Sequence, residues 1–321
     1  MLTLHGLTIL AGDGGEMADP ATDIRWCTHR VGSLPSEPGA GNPIAIVRGE
    51  QTETGIAIEH IFGYDGRVRC RFRVEADGSA VTAWATPEVS DRDIFSLLAE
   101  PVMRTILLQR DMLSFHAAAL AKNGRAILIM AAKGAGKSTL SWALQRQGWQ
   151  LLADDLVRTE KMVGNWSAFA GHRDTKLTPG AASALGYGAD SLLPRFDDIG
   201  PAVSAALFDK VVVAPLGPPP PATAVPLAAI LFLTPRDPNR SSPLMHRIGP
   251  IAGIRLLVEH ATPDPVAPGS APPLKIQREI GHIASGVPLA KLTLPDRLDL
   301  LSHAATSLEE GLGGLADQWT H

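Results

Sequence analysis

Apolar and polar residues alternate in short runs along the N-terminal part of the chain, residues 1–88. In the clearest run, VRCRFRV at 68–74, every second position is apolar, which is the period of a strand with one buried face. Asp-Gly pairs, typical of hairpin turns, flank this run. The pattern predicts a small β-rich N-terminal domain over residues 1–88. The polar face of this strand would be either a solvated surface or a contact for an anionic partner, and it carries Arg67, Arg69, Arg71 and Arg73.

The spacing of apolar residues changes from that of a strand to that of a helix near Ser90. Here a Ser-Asp-Arg-Asp stretch precedes apolar residues at helical spacing. A serine followed three positions later by a carboxylate is typical of a helix N-terminus. Pro101 is expected to end or kink this helix, because proline has no backbone N–H to donate. A helical pattern then continues from Val102 to Arg110. Residues 89–112 are therefore predicted to be helices that link two domains.

From residue 113 to the C-terminus the pattern is typical of an α/β domain, a mixed sheet with helices. Two apolar runs, 113–120 and 126–131, flank Asn123-Gly124, a strong short signal for a β-hairpin. The first run carries His116, so the hairpin would place that histidine on the strand beside the second run. A helix from Ser138 to Gln147 and a strand over 149–153 follow.

The later part of this predicted domain, 113–321, continues with alternating strands and helices. The predicted elements are a hairpin over 157–170 turning at Gly164-Asn165, a helix begun by Thr178 and Pro179, a strand over 227–233, helices over 249–260 and 276–284, a strand over 288–294 and a helix over 296–309. Proline-rich loops are predicted near 215–226 and 263–273.

The loop between the predicted strand and helix, AAKGAGKST at 131–139, has the chemistry of a phosphate-binding P-loop. Its two glycines let backbone N–H groups close around phosphate oxygens, its second lysine supplies a mobile cation, and the helix directs its dipole at the same place. Ala131 stands where the pattern G-x-x-x-x-G-K-[ST] has its first glycine. The alternative is a glycine-rich turn that only caps a helix. The predicted ATP-binding residues are Lys133, Gly134, Ala135, Gly136, Lys137, Ser138 and Thr139.

Two adjacent carboxylates, Asp154 and Asp155, end the strand that follows this helix. A carboxylate here can bind the Mg²⁺ of a nucleotide, and two carboxylates can divide metal binding from proton abstraction. We expect Ser138 and Asp154 to hold Mg²⁺ and Asp155 to accept a proton, although the two aspartates could exchange roles. Arg173 and Lys176 either reach the phosphates from a later loop or lie at the surface.

The composition excludes several other classes of protein. A net charge of −4, from 29 basic and 33 acidic residues, argues against a general binder of nucleic acid or membrane surfaces. No apolar run approaches the roughly 18–20 residues of a spanning helix, and the first residues lack the pattern of a secretory signal. Cys27 and Cys70 form no metal or redox motif. We therefore expect a soluble cytoplasmic protein.

The motifs HAAALAKNGRAILIMAAKGAGKSTL and LLADD, within residues 113–157, resemble HPr kinase/phosphorylase and its kinase-only relatives. The spacing of His116, Lys137 and Asp155 is also similar. The resemblance implies that these residues are the catalytic group, that Ser138 binds Mg²⁺, and that homo-oligomers form. The family's glutamate metal ligand has no counterpart, because no glutamate lies between Glu160 and Glu259. This difference counts against a phosphorylase activity and leaves several candidates for the second metal ligand, namely Asp154, Asp174, Asp197 and Asp198.

The predicted function is an ATP-dependent kinase acting on a hydroxyl group, most simply a serine of a peptide or small protein. The N-terminal β-region and the sequence around His116 also resemble the HPr kinase-like enzymes of lasso-peptide clusters, which phosphorylate a serine of a precursor peptide. One alternative is a kinase of a small molecule such as free serine or a sugar. Another is a regulator that binds ATP without transferring its phosphate.

Overall fold

The computed structural model describes residues 2–12, 22–37, 44–188, 192–193, 211–220, 223–263 and 271–317. The chain forms two compact units, one built on Met1–Met112 and the other on Leu113–Leu192, Val213–Thr262 and Pro273–His321. Sheets and helices alternate along the chain, which confirms the α/β class. The two proline-rich loops lie partly outside the described residues. No helix in the described part is long and apolar enough to cross a membrane.

A mixed seven-stranded sheet forms the first unit. Its strands are β1 Leu2–Leu4, β2 Leu7–Gly12, β3 Ile24–Arg30, β4 Ile44–Thr52, β5 Gly55–Tyr64, β6 Arg67–Val74 and β7 Ala80–Ala85. Across the sheet the order is β1-β2-β3-β7-β6-β5-β4. The β2–β3 and β3–β7 pairs are parallel, and the other neighbours are antiparallel.

The strand predicted from VRCRFRV is β6, and it alternates as its sequence indicates. Its apolar side chains are buried, with Phe72 and Val74 fully inaccessible. On the opposite face, glutamates form ion pairs with three of the arginines: Arg69 with Glu88, Arg71 with Glu37 and Glu59, and Arg73 with Glu50 and Glu75. These ion pairs neutralise the arginines, which favours a solvated sheet surface over a contact for an anionic partner.

The predicted helical segment is present as α1, Asp91–Leu97, a π-helical turn, Leu98–Val102, and α2, Met103–Gln109. The Ser90 hydroxyl accepts a hydrogen bond from the Asp93 N–H at 3.1 Å, which confirms the predicted cap. Pro101 lies inside the π-helical turn and does not end the helical segment. The wider π turn accommodates a residue that cannot donate the usual backbone bond.

The buried His60 is expected to make the first unit less stable in acid. Its Nε2 lies 2.7 Å from the Thr105 hydroxyl, and burial lowers the pKa of His60 to about 4. The unfolded chain, whose histidine pKa is near 6.5, then binds more protons than the folded one between these values. Stability is therefore full above about pH 6.5 and falls as the pH drops toward 4, by about 3 kcal/mol in total. Urea unfolding between pH 4 and 7 should show this loss, and His60→Gln should flatten it; an unchanged acid slope in the variant would contradict the assignment.

After residue 112 the described part of the chain contains twelve more strands, five further α-helices and one 3₁₀ turn. The strands are β8 Ser114–Phe115, β9 Ala118–Lys122, β10 Arg125–Ala131, β11 Gln150–Asp154, β12 Val157–Met162, β13 Asn165–Ala168, β14 Thr175–Leu177, β15 Leu192–Leu193, β16 Val211–Val213, β17 Val225–Leu233, β18 Leu244–Arg247 and β19 Leu289–Thr293. The helices are α3 Lys137–Arg146, α4 Pro179–Ala184, α5 Pro250–His260, α6 Leu274–Gly286 and α7 Leu301–Asp317, the last preceded by a 3₁₀ turn at Leu298–Leu300.

The second unit is a mixed nine-stranded sheet with helices on both faces. Its main path is β11-β9-β10-β17-β13-β12-β8, with β19 also paired to β17 and β18 to β19. On one face, residues of α5 and α6 such as Leu257 and Ile280 pack into the core. On the other, α3 and α7 contribute residues such as Leu144 and Leu308. Burial on both faces explains why β10 is a continuous apolar run.

Candidate active site

Strand direction brings the predicted site residues to one edge of the second sheet. β10, β17 and β19 are parallel, and β9 is antiparallel to both β10 and β11. The carboxyl ends of β10, β11, β17 and β19 therefore meet the amino end of β9 at a single edge. The P-loop follows β10, Asp154 ends β11, and His116 precedes β9. Ligands bind at such an edge in open α/β sheets, because loops from several strands converge there.

The P-loop has backbone conformations that side chains rarely adopt. Gly134 and Gly136 have φ angles of 86° and 100°, in the left-handed region that favours glycine. The Ala135 N–H donates to the Ala132 carbonyl at 3.1 Å, which closes the turn. Helix α3 then begins at Lys137, with no side chain capping its N-terminus. Free N–H groups and the helix dipole at this end favour an anion.

Lys137 and Asp154 form a nearly buried ion pair. The Lys137 Nζ lies 2.7 Å from Asp154 Oδ1, and their side chains are 11% and 4% exposed. The same carboxylate accepts the backbone N–H of Asp155 at 3.0 Å. The pair holds the ammonium group beside the loop, and a bound phosphate would compete with this carboxylate for it.

Asp155 lies at the centre of a second charged cluster. Its carboxylate is 3.0 Å from His116 Nδ1 through Oδ1 and 3.0 Å from Lys176 Nζ through Oδ2. Burial alone would raise the pKa of Asp155, but the hydrogen bond from His116 and the charges of Lys176, Lys137 and His116 hold that pKa well below its ordinary value. Asp155 has a φ of 73°, an uncommon conformation for a residue with a side chain. Such strain is typical of functional sites.

His116 is not on the strand that the sequence predicts. The run 113–120 is broken into β8 and β9, and His116 lies at the break with its side chain 42% exposed. The backbone N–H of His116 donates a hydrogen bond to the His260 carbonyl at 2.8 Å, so the backbone here is bonded to the end of α5. Its Nδ1 also contacts the Asp155 carbonyl at 3.1 Å. Because a carboxylate and a carbonyl only accept hydrogen bonds, Nδ1 must carry the proton.

The remaining charged candidates have different positions. Lys176 contacts Asp155, whereas Arg173 donates to the Pro218 carbonyl at 3.2 Å. Oδ2 of Asp174 lies 3.5 Å from Nε2 of His172. Asp197 and Asp198 lie outside the described residues. Within the described ranges no group of three or more His, Cys, Asp or Glu side chains is arranged to hold a metal ion.

Two residues near this edge were not predicted from the sequence. His260 ends α5, and burial, with the charges of His116 and Lys137, lowers its pKa. Arg236 follows β17 and lies against Gly136. Both are far from the P-loop in sequence and belong to no local motif. Arg236 could have been found only from the parallel pairing of β17 with β10, which places the residues after β17 beside the P-loop.

Ser138 and Thr139 lie in the first turn of α3, and Lys133 lies in the exposed part of the P-loop. A hydroxyl at Ser138 and a carboxylate at Asp154 are the hard oxygen donors that suit Mg²⁺. Asp154 is nearly buried, so a metal that binds it would displace the Lys137 ammonium. The chemistry of these side chains therefore fits a nucleotide-bound Mg²⁺ that takes its other ligands from phosphates.

The chain matches no protein-family profile and no curated protein. Among solved structures it is similar to the Hpr(Ser) kinase/phosphatase from Coxiella burnetii, with a TM-score of 0.29 and 17% identity, over 63% of this chain and 97% of that one. At this score and identity the likeness assigns no family, so a functional proposal must rest on this chain's own residues and geometry.

Proposed function

We propose that this protein is an ATP-dependent kinase that transfers the γ-phosphoryl group to a hydroxyl. The observation that carries the proposal is the meeting of the P-loop, the Lys137–Asp154 pair and the Asp155–His116–Lys176 cluster at one sheet edge. Phosphoryl transfer needs mainly positioning and charge compensation, and these groups supply both. A simple helix cap would not require the charged cluster beside it.

The nucleotide phosphates would be held by Lys137 and the backbone N–H groups of Gly134, Ala135 and Gly136. Ser138 and Asp154 would hold Mg²⁺, which when bound neutralises charge on the phosphates. The acceptor hydroxyl would lie next to the Asp155 carboxylate. As its oxygen bonds to the γ-phosphorus, its proton passes to Asp155, and the bond from that phosphorus to the β,γ-bridging oxygen breaks to release ADP.

The cations that hold the pKa of Asp155 low would also interact with bound phosphates. A carboxylate held by His116 and Lys176 is a weak base. Negatively charged phosphates would attract Lys176 and Lys137 and would raise the proton affinity of Asp155. The base would then be activated only when the nucleotide is bound. His116, through its Nδ1 contact at 3.0 Å, would keep the carboxylate in position.

For the acceptor we propose a serine of a peptide or small protein, such as a lasso precursor peptide. The serine acceptor rests on the sequence resemblance of residues 113–157, and the precursor peptide on the resemblance of the N-terminal β-region and of the sequence around His116. A small-molecule hydroxyl, as in free serine or a sugar, is the alternative within the same chemistry. Homo-oligomer formation is proposed on the same resemblance, and a cytoplasmic location on the cysteine usage of the sequence.

The test is incubation of the protein with Mg-ATP and a serine-ending precursor peptide, followed by mass spectrometry. The peptide is expected to gain one phosphate, about 80 Da, on that serine. Free serine and sugars, incubated in parallel, test the alternative acceptors. ATP binding without transfer to any of them would favour the non-catalytic regulator, and phosphate release without acceptor would indicate hydrolysis.

A further inference from the structure

Arg236 lies beside the P-loop because of how two parallel strands are paired. In the β10–β17 register, Ala131 is opposite Leu233, so the residues that follow each strand leave the sheet side by side. The P-loop follows Ala131, and Arg236 is the third residue after Leu233. A residue after β17 can therefore contact a ligand held after β10.

The backbone on both sides of Arg236 is anchored to β19 and to the residue that follows it. The Thr234 N–H donates to the Leu292 carbonyl and the Asp237 N–H to the Leu294 carbonyl, both at 3.0 Å. The Thr234 and Thr293 hydroxyls are 2.7 Å apart. Hydrogen bonds thus hold the backbone on both sides of Arg236, and its side chain is only 20% exposed.

The guanidinium lies directly against Gly136. A Cβ atom built at Gly136 would be 2.5 Å from Nη2 of Arg236 and 3.1 Å from its Nε. Gly136 caps the N-terminus of α3, and Lys137 follows it. The absence of a side chain at Gly136 is what lets the guanidinium approach the loop this closely.

A bound anion would stabilise the Arg236 guanidinium in this position. The N-terminus of a helix carries positive partial charge and repels a cation. Among the described residues, Arg236 forms an ion pair with Asp296, whose side chain is 56% exposed. Nη1 of Arg236 lies 3.8 Å from Oδ1 of Asp296, which is too far for a hydrogen bond. A bound phosphate group would compensate both the guanidinium and the helix end. Guanidinium groups bind phosphate through two parallel N–H donors, a geometry that lysine cannot reproduce.

We propose that Arg236 binds the phosphates of the nucleotide from the β17 side of the P-loop, as a second cation beside Lys137. The proposal rests on the nucleotide site described above and adds a residue from a separate loop to it. Binding of ATP would then be sensed by the segment between β17 and β18 as well as by the P-loop.

The test compares ATP and ADP titrations, by calorimetry, of the full chain and of Arg236→Gln, Arg236→Lys and Arg240→Gln. Arg240 is the matched control, because it lies in the same loop and its Nε donates to the Ser242 carbonyl at 3.1 Å. Arg236→Gln should weaken ATP binding by about 10–100-fold, the effect of losing a charged hydrogen bond. Arg236→Lys should recover part of this loss, and Arg240→Gln should bind like the wild type.

Two results would overturn the role of Arg236. One is unchanged ATP affinity in Arg236→Gln; the other is an equal loss in Arg240→Gln, which would indicate a general effect of charge in the loop. A wild-type protein that does not bind ATP would overturn the nucleotide site itself. A wild-type protein that binds ATP but phosphorylates no acceptor would overturn the kinase proposal and leave the Arg236 comparison valid.

Discussion

Replacement of Asp155 by asparagine is expected to lower phosphoryl transfer by about 10²–10⁴-fold, the usual contribution of a general base. Nucleotide affinity should stay close to that of the wild type, because Lys137 and the P-loop backbone are unchanged. The measurement is the initial rate of phosphorylation of the acceptor at saturating Mg-ATP, together with the dissociation constant of ATP for each protein.

Asparagine suits this test for a conformational reason. Asp155 has a φ of 73°, and asparagine is among the residues that best tolerate this region. The variant therefore removes the charge and the proton acceptor without forcing a new backbone. Asp111→Asn is the matched control, since Asp111 also has a positive φ, of 51°, and belongs to the other unit.

The same measurements also distinguish the roles of Asp154 and Asp155. If Asp155→Asn loses nucleotide affinity in parallel with activity, Asp155 is a metal ligand and Asp154 becomes the candidate base. If the rate of transfer is unchanged in Asp155→Asn, Asp155 is not the general base. The charged cluster that Asp155 forms with His116 and Lys176 then takes no part in the chemistry.

Local signals in the sequence predicted the local structures well. Asn123 and Gly124 both have positive φ angles and join β9 to β10, as their hairpin signal indicates. The helix after the P-loop spans Lys137–Arg146 and is followed by Gly148 with a φ of 84°. Thr178 caps α4 through the Ala181 N–H. Each of these features depends on the conformational preferences of a few adjacent residues, which the sequence shows directly.

Details that depend on tertiary contacts were predicted less well. The turn of the β12–β13 hairpin is at Val163-Gly164, one residue earlier than predicted, because Asn165 pairs with Met162. The strand predicted around His116 is interrupted, since that backbone bonds to the end of α5. The order of strands in each sheet, and with it the placement of Arg236 and His260, is set by pairings across long stretches of chain that no local pattern encodes.

Replacement of Lys137 by methionine is expected to lower both stability and function. It removes the cation of a nearly buried pair and leaves the Asp154 carboxylate, 4% exposed, without its counter-charge. Breaking such a pair by removing one partner reduces the free energy of unfolding by about 3–5 kcal/mol. Transfer should fall by at least about 10²–10³-fold, as when one preorganised donor is lost, and ATP binding should weaken as well.

The double variant Lys137→Met/Asp154→Asn separates these two effects. Neutralising Asp154 removes the uncompensated charge, so the double variant should unfold at a higher urea concentration than Lys137→Met alone. It should not regain transfer, because the phosphates still lack their lysine. Urea unfolding followed by tryptophan fluorescence, with transfer assays on all four proteins, completes the cycle. Equal stability of Lys137→Met and the wild type would contradict the structural role of the pair. Transfer by the double variant at the wild-type rate would exclude Lys137 from the chemistry, and with it the proposed mechanism.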